Sequence, residues 1–192
     1  MKQALMTFVS VAALTLSSMG FAADPPAQPA WTKFTTPGES HKKLKEMEGK
    51  WTYTLSWWAT PGAKPETSKG TSKSTLILGG RFLQQTAKGK VMGQDFEGMG
   101  LLGYDAFKEE YQSIWADNMA TSIMWSTGTM DTTNSVINQS GTFGDPMAND
   151  KAKWFRTELK IVSKNEHTYA MFNKGADGSE FKTMEIVYKR AK

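Results

Sequence analysis

From Lys50 onward the chain has a period of two. Trp51, Tyr53, Leu55 and Trp57 alternate with Thr52, Thr54 and Ser56, which gives a strand one apolar face and one polar face. Alternation or β-branched runs predict further strands over 71–78, 81–87, 94–104, 110–117, 122–130, 135–143, 153–162, 167–173 and 181–189. Turn residues separate them, among them Pro61-Gly62, Tyr104-Asp105, Gly144-Asp145-Pro146 and Asp177-Gly178. Gly79-Gly80 reads as a two-residue hairpin turn, because both central positions of a type I′ turn need positive φ. Gly98, Gly100 and Gly103 thin one long strand, where glycine marks a bend or a close backbone approach.

Upstream the pattern differs. Residues 24–38 hold four prolines and read as an extended linker, with Trp31 and Phe34 resting on the surface of the domain. Ser40 is placed to cap a short helix over 41–48, with Leu44 and Met47 on its apolar side and Gly49 as its C-cap. About ten strands joined by short turns imply antiparallel neighbours. The expected fold is all-β, an up-and-down antiparallel barrel with a short N-terminal helix. Closure removes the two edges that an open meander would expose.

Residues 1–22 have the form of a secretory signal. Lys2 is the positive start, Ala4 to Leu16 is apolar, and Gly20-Phe21-Ala22 offers small residues for cleavage after Ala22. The apolar part is too short and too interrupted for a membrane anchor, and no long apolar run follows. The expected organisation is a signal over 1–22, a Pro-rich linker over 23–40 and a barrel domain over 41–192. The expected location is periplasmic or secreted.

Composition narrows the chemistry. There is no cysteine, so disulfides, thiol catalysis and cysteine zinc sites are excluded. Two histidines, His41 and His167, cannot form a histidine triad for a metal. Neither a metal nor a cofactor is expected. Lys and Arg total 23 against 19 acidic residues, and the basic residues are scattered, which argues against a nucleic-acid partner.

Gly49-Lys50-Trp51 after a short helix looks like the Gly-x-Trp signature of lipocalin-like, or calycin, barrels. In those folds a tryptophan seals one end and a late basic residue packs over it; Arg190 stands in the matching place. A longer pattern adds His41-Lys42-x-Leu44, Leu78-Gly79-Gly80-Arg81-Phe82-Leu83, Phe96-x-Gly98-x-Gly100, Gly103-Tyr104-Asp105, Trp115-x-Asp117 and Thr127-Gly128. In this order the chain resembles the bacterial family called domain of unknown function 1579, from about His41 to Arg190. The resemblance implies a calycin-like barrel and transfers no mechanism.

The leading expectation is a barrel that binds a small apolar or amphipathic molecule, with Trp51, Tyr53, Leu55, Trp57, Trp115 and Trp125 in its wall. The polar candidates are Arg81, Asp117 and His167. One alternative is an enzyme that uses these three at the barrel mouth. Another is an envelope interaction protein with a filled barrel and an apolar patch around Trp31 and Phe34. No catalytic residue is singled out: a serine triad would need His167 as base, and no Gly-x-Ser-x-Gly elbow is present. Gly98-x-Gly100-x-x-Gly103 matches a dinucleotide fingerprint only formally, since no helix follows it.

His167 beside Asn165 and Glu166 reads as a rim histidine; axial haem ligation is the sharper and less favoured reading. The methionines are scattered and read as core or pocket lining rather than as a copper site. Trp154, Arg156 and Glu158 share a strand face that should look outward, because Phe155, Thr157, Leu159 and Ile161 make the more apolar face. Arg81 is placed to brace a rim, for example against Asp105.

Overall fold

The computed structural model describes residues 28–175 and 177–192, so the expected signal over 1–22 lies outside the described residues. Two helices, α1 (Gln28–Thr35) and α2 (Glu39–Glu46), precede ten strands. These are β1 (Gly49–Trp57), β2 (Glu66–Ile77), β3 (Phe82–Val91), β4 (Gln94–Asp105), β5 (Glu110–Asp117), β6 (Met124–Met130), β7 (Val136–Asp145), β8 (Asp150–Ser163), β9 (Glu166–Lys174) and β10 (Glu180–Arg190). Each strand pairs antiparallel with its sequence neighbours, and β1 pairs with β10 to close the barrel. Among the described residues no helix is long and apolar enough to cross a membrane.

The expected fold class is therefore present, with three local differences. Gln28–Thr35 is helical rather than extended. Pro29 falls in the first turn, where the missing N–H has no intrahelical partner to lose, and Pro37 comes after the end. The link after β2 is four residues long, since Ile77 pairs with Phe82. Leu78, Gly79 and Gly80 all have positive φ there. Helix α2 starts after Gly38, whose N–H donates to His41 Nδ1 at 3.0 Å, so His41 and not Ser40 organises the helix start.

Helix α2 plugs one end of the barrel, the lower end. Leu44 and Met47 are buried there against Leu83, Leu102, Tyr111 and Ile137. Hydrogen bonds tie the plug to the wall. The Tyr111 hydroxyl donates to Ser40 O (3.1 Å), Trp51 Nε1 donates to Met47 O (2.9 Å), and the Leu76 N–H donates to Glu48 Oε1 (3.1 Å). A second core cluster, of Trp51, Tyr53, Ala87 and Tyr188, lies beside it. The other end, where β1 turns into β2 and β5 into β6, carries no helix.

Arg81 lies at the plugged end, outside the barrel. It donates to Leu78 O (3.1 Å) and Thr35 O (2.5 Å), so it fastens α1. Asp105 instead accepts from the N–H groups of Phe107 and Lys108 in its own turn. Trp31 and Phe34 are exposed on α1.

Candidate functional site

Inward positions on several strands are small. Ser68, Ser72 and Ser74 on β2, Ala87 on β3, Gly98 and Gly100 on β4 and Ser126 on β6 leave a ten-strand circumference unfilled. The result is a cavity of about 560 Å³. That volume suits a drug-sized molecule. A filled barrel is thereby overturned.

The upper half of the cavity is apolar. Leu55, Trp57, Phe96, Trp115, Met124 and Ile186 line it. Methionines far apart in sequence meet here: Met92, Met119, Met124, Met171 and Met184 all contribute, as expected of pocket lining. Trp115 is set by the glycines opposite it. Gly100 is its cross-strand partner and Gly98 is the partner of Asp117. A Cβ on Gly98 would come within 2.5 Å of the Trp115 ring, and one on Gly100 within 2.9 Å. The indole therefore lies flat on the backbone of β4, stacked with Phe96 at 6.5 Å and 14° between planes. Its Nε1 donates to Asp117 Oδ2 at 2.8 Å, and Asp117 Oδ1 accepts from the Met119 N–H at 2.9 Å. This indole thus lies along the wall instead of projecting into the lumen.

The lower half sets polar groups among apolar side chains such as Met47, Leu83 and Leu102, and those polar groups are largely self-satisfied. Ser113 Oγ and Ser126 Oγ are 2.7 Å apart, and Ser113 donates to Gln139 Oε1 at 3.1 Å. Gln139 Nε2 in turn donates to Tyr111 O at 3.1 Å. Burial pushes the Tyr169 and Tyr188 hydroxyls well above the usual tyrosine range.

His167 belongs to this floor and not to a rim. It is 3% exposed, stacks on Tyr188 at 4.4 Å, and meets the Trp51 ring edge-on at 4.4 Å. Strands β1 and β10 enclose it, which Asn165 and Glu166 do not reveal. Among the described residues its Nδ1 is the one buried side-chain polar atom without a hydrogen-bond partner. Burial, helped by the charge of Arg190, pushes its pKa down to about 4.

The expected wall is thus partly corrected. Tyr53, Leu55, Trp57 and Trp115 line the cavity. Trp51 does not; it is buried beneath the floor, on β1, with Tyr53, Ala87 and Tyr188. Trp125 is 54% exposed and faces outward, because Met124 is the residue that pairs with Trp115. The polar candidates do not gather. Asp117 is at the mouth, His167 at the floor and Arg81 outside the plugged end, so no three-residue centre exists at the mouth. Among the described residues no group of three His, Asp or Glu could hold a metal ion.

Trp154, Arg156 and Glu158 look outward as expected. Arg156 bridges Glu158 (2.6 Å) and Glu180 (2.9 Å), and sits 4.1 Å above the Phe172 ring. Glu66 and Phe96 are wall residues that pattern reading passes over. The signal for Glu66 is its pairing opposite Trp57.

A family model described as "Protein of unknown function (DUF1579)" matches residues 36–190. No curated protein matches the chain. Among the solved structures similar in fold are the following two. Rv2717c from M. tuberculosis has 15% identity and a TM-score of 0.58, over 82% of this chain and 100% of that one. The S-type phycobiliprotein lyase CPES from Guillardia theta has 11% identity and a TM-score of 0.55, over 86% of this chain and 99% of that one. Both likenesses concern the fold.

Proposed function

The chain belongs to this DUF1579 family, and we propose that its barrel is a container for a small apolar or amphipathic molecule. The observation that carries the reading is the cavity itself. A hollow of about 560 Å³ inside a closed barrel, lined largely by apolar side chains, is an unfavourable way to build a core. Small residues and glycines are placed so that Trp115 stays against the wall. Inside such a cavity a ligand gains roughly 25 cal/mol for each Å² of apolar surface it hides.

The same reading has the chain exported. Lys2, the apolar run from Ala4 to Leu16 and Gly20-Phe21-Ala22 support removal of residues 1–22 and a role outside the cytoplasm. Native mass spectrometry of the protein expressed with its full N-terminus tests both parts. The expected spectrum shows a chain beginning at Ala23 and carrying an extra mass that leaves on denaturation. An empty chain that also takes up no apolar probe would overturn the container reading. An uncleaved N-terminus would overturn export alone.

A further inference from the structure

Among the described residues no lysine or arginine lines the cavity. The carboxylates on its wall are Glu66 and Asp117. Both stand at the mouth, at the upper ends of β2 and β5. Asp117 is held in place by its bonds to Trp115 Nε1 and the Met119 N–H. A carboxylate offers about four lone-pair sites, so acceptor capacity remains. The indoles of Trp57 and Trp115 are on the same upper wall, and an indole face attracts a cation.

Three cations near this end are paired elsewhere, whereas Lys64 and Lys69, on either side of Glu66 in sequence, and Lys151 make no ion pair among the described residues but do not line the cavity. Lys90 pairs with Asp95 (2.8 Å), Lys153 with Asp145 (2.6 Å) and Lys182 with Glu185 (2.6 Å). Lys174 lies over the outward-facing Trp154 ring, at 4.9 Å. At the floor, Arg190 touches Trp51, and Trp51 in turn touches His167, so two rings separate the guanidinium from the lumen. The floor, where Met47, Leu83 and Leu102 lie beside the tyrosines and His167, therefore carries no charge near neutral pH. An anionic head would lose its water, find no cation on the wall, and pass two carboxylates on the way in.

We propose that the cavity selects by charge: it admits neutral and cationic amphiphiles, organic amines above all, and turns carboxylates away. The cationic head stays at the mouth against Asp117 and Glu66, and the apolar body fills the space between Trp57, Trp115 and Ile186. This rests on the container reading and narrows it.

Three probes of one chain length separate the possibilities: dodecyltrimethylammonium, 1-dodecanol and dodecanoate, titrated calorimetrically below their micelle concentrations. Dodecanoate should bind at least about tenfold more weakly than the ammonium probe at low salt, with the gap shrinking as salt rises. Glu66→Gln and Asp117→Asn, singly and together, should narrow that gap. Glu66 is an exposed rim residue, so its variant serves even if Asp117→Asn perturbs folding. Dodecanoate binding as tightly as the other two would overturn charge selection and leave the container reading standing. A full ammonium preference in folded variants would overturn the assignment to these carboxylates. Binding of none of the three would overturn both readings.

Discussion

The Arg190 guanidinium lies 4.2 Å from the centre of the Trp51 ring. The same side chain donates to Glu46 O (3.1 Å), Glu48 O (2.7 Å) and Lys164 O (2.7 Å). One residue near the end of the last strand therefore clamps the end of α2, the start of β1 and the turn before β9. Gly49 makes room for it: with φ of 131°, it lies so close to Arg190 Nη1 that any Cβ would collide. Arg190→Ala should lower unfolding free energy by about 2–3 kcal/mol, from the lost stacking and charged hydrogen bonds. Arg190→Lys should recover part of it, because an ammonium cannot span three carbonyls. Urea titrations of the two variants check the order; equal stability of wild type and Arg190→Ala would contradict the clamp.

The glycines under Trp115 make a second, separable prediction. Gly100→Ala places a methyl group where the Trp115 ring lies, and the ring must swing toward the lumen. The expected costs are about 1–3 kcal/mol of stability from overpacking and a clear loss of dodecanol uptake. Far-ultraviolet circular dichroism should stay that of a β-barrel while the near-ultraviolet signal of the indole changes. Unchanged uptake would show that Trp115 does not set the free volume.

Much of the barrel is legible because its information is local. Alternating or β-branched runs between turn residues mark the strands, and Arg190 meets Trp51 as the resemblance to lipocalin-like barrels implies. What is not legible comes from pairing between strands. Trp125 looks like a wall residue because it is large and apolar, but facing is decided by the register that sets Met124 against Trp115. His167 looks like a rim residue because its chain neighbours are polar, whereas Trp51 and Tyr188, from other strands, bury it. The hollow is a collective property of many small inward side chains and has no signature in any one segment.

Acid should probe His167. Its folded pKa of about 4 lies below the ordinary 6.5, so between these values the unfolded chain binds the extra proton. Stability therefore rises with pH across that window: it is unaffected by this group above pH 6.5 and falls as pH drops toward 4. The full loss is about 3 kcal/mol for a shift of this size. His41, also depressed, chiefly by burial, adds to the slope with the same sign. Carboxylates such as Asp131, held at about 2 by hydrogen bonds, act at lower pH. Stability measured from pH 7 to pH 4 should fall less steeply in His167→Gln than in wild type. Parallel curves would mean that the imidazole is not buried as described.

Trp57 and Trp125 are both tryptophans near the upper end of the barrel, and the structure sets them on opposite sides of the wall. Trp57 lines the cavity, while Trp125 is 54% exposed on the outer face. Trp57→Ala removes apolar wall from the mouth and should weaken dodecanol binding by about tenfold, or roughly 1.4 kcal/mol. Trp125→Ala removes a side chain that no ligand in the lumen touches, so its affinity should match wild type. Each variant serves as the other's control, because the two changes delete the same side chain. Equal weakening in both would mean a general loosening of the barrel. Weakening in Trp125→Ala alone would place the ligand on the outer surface and end the container reading.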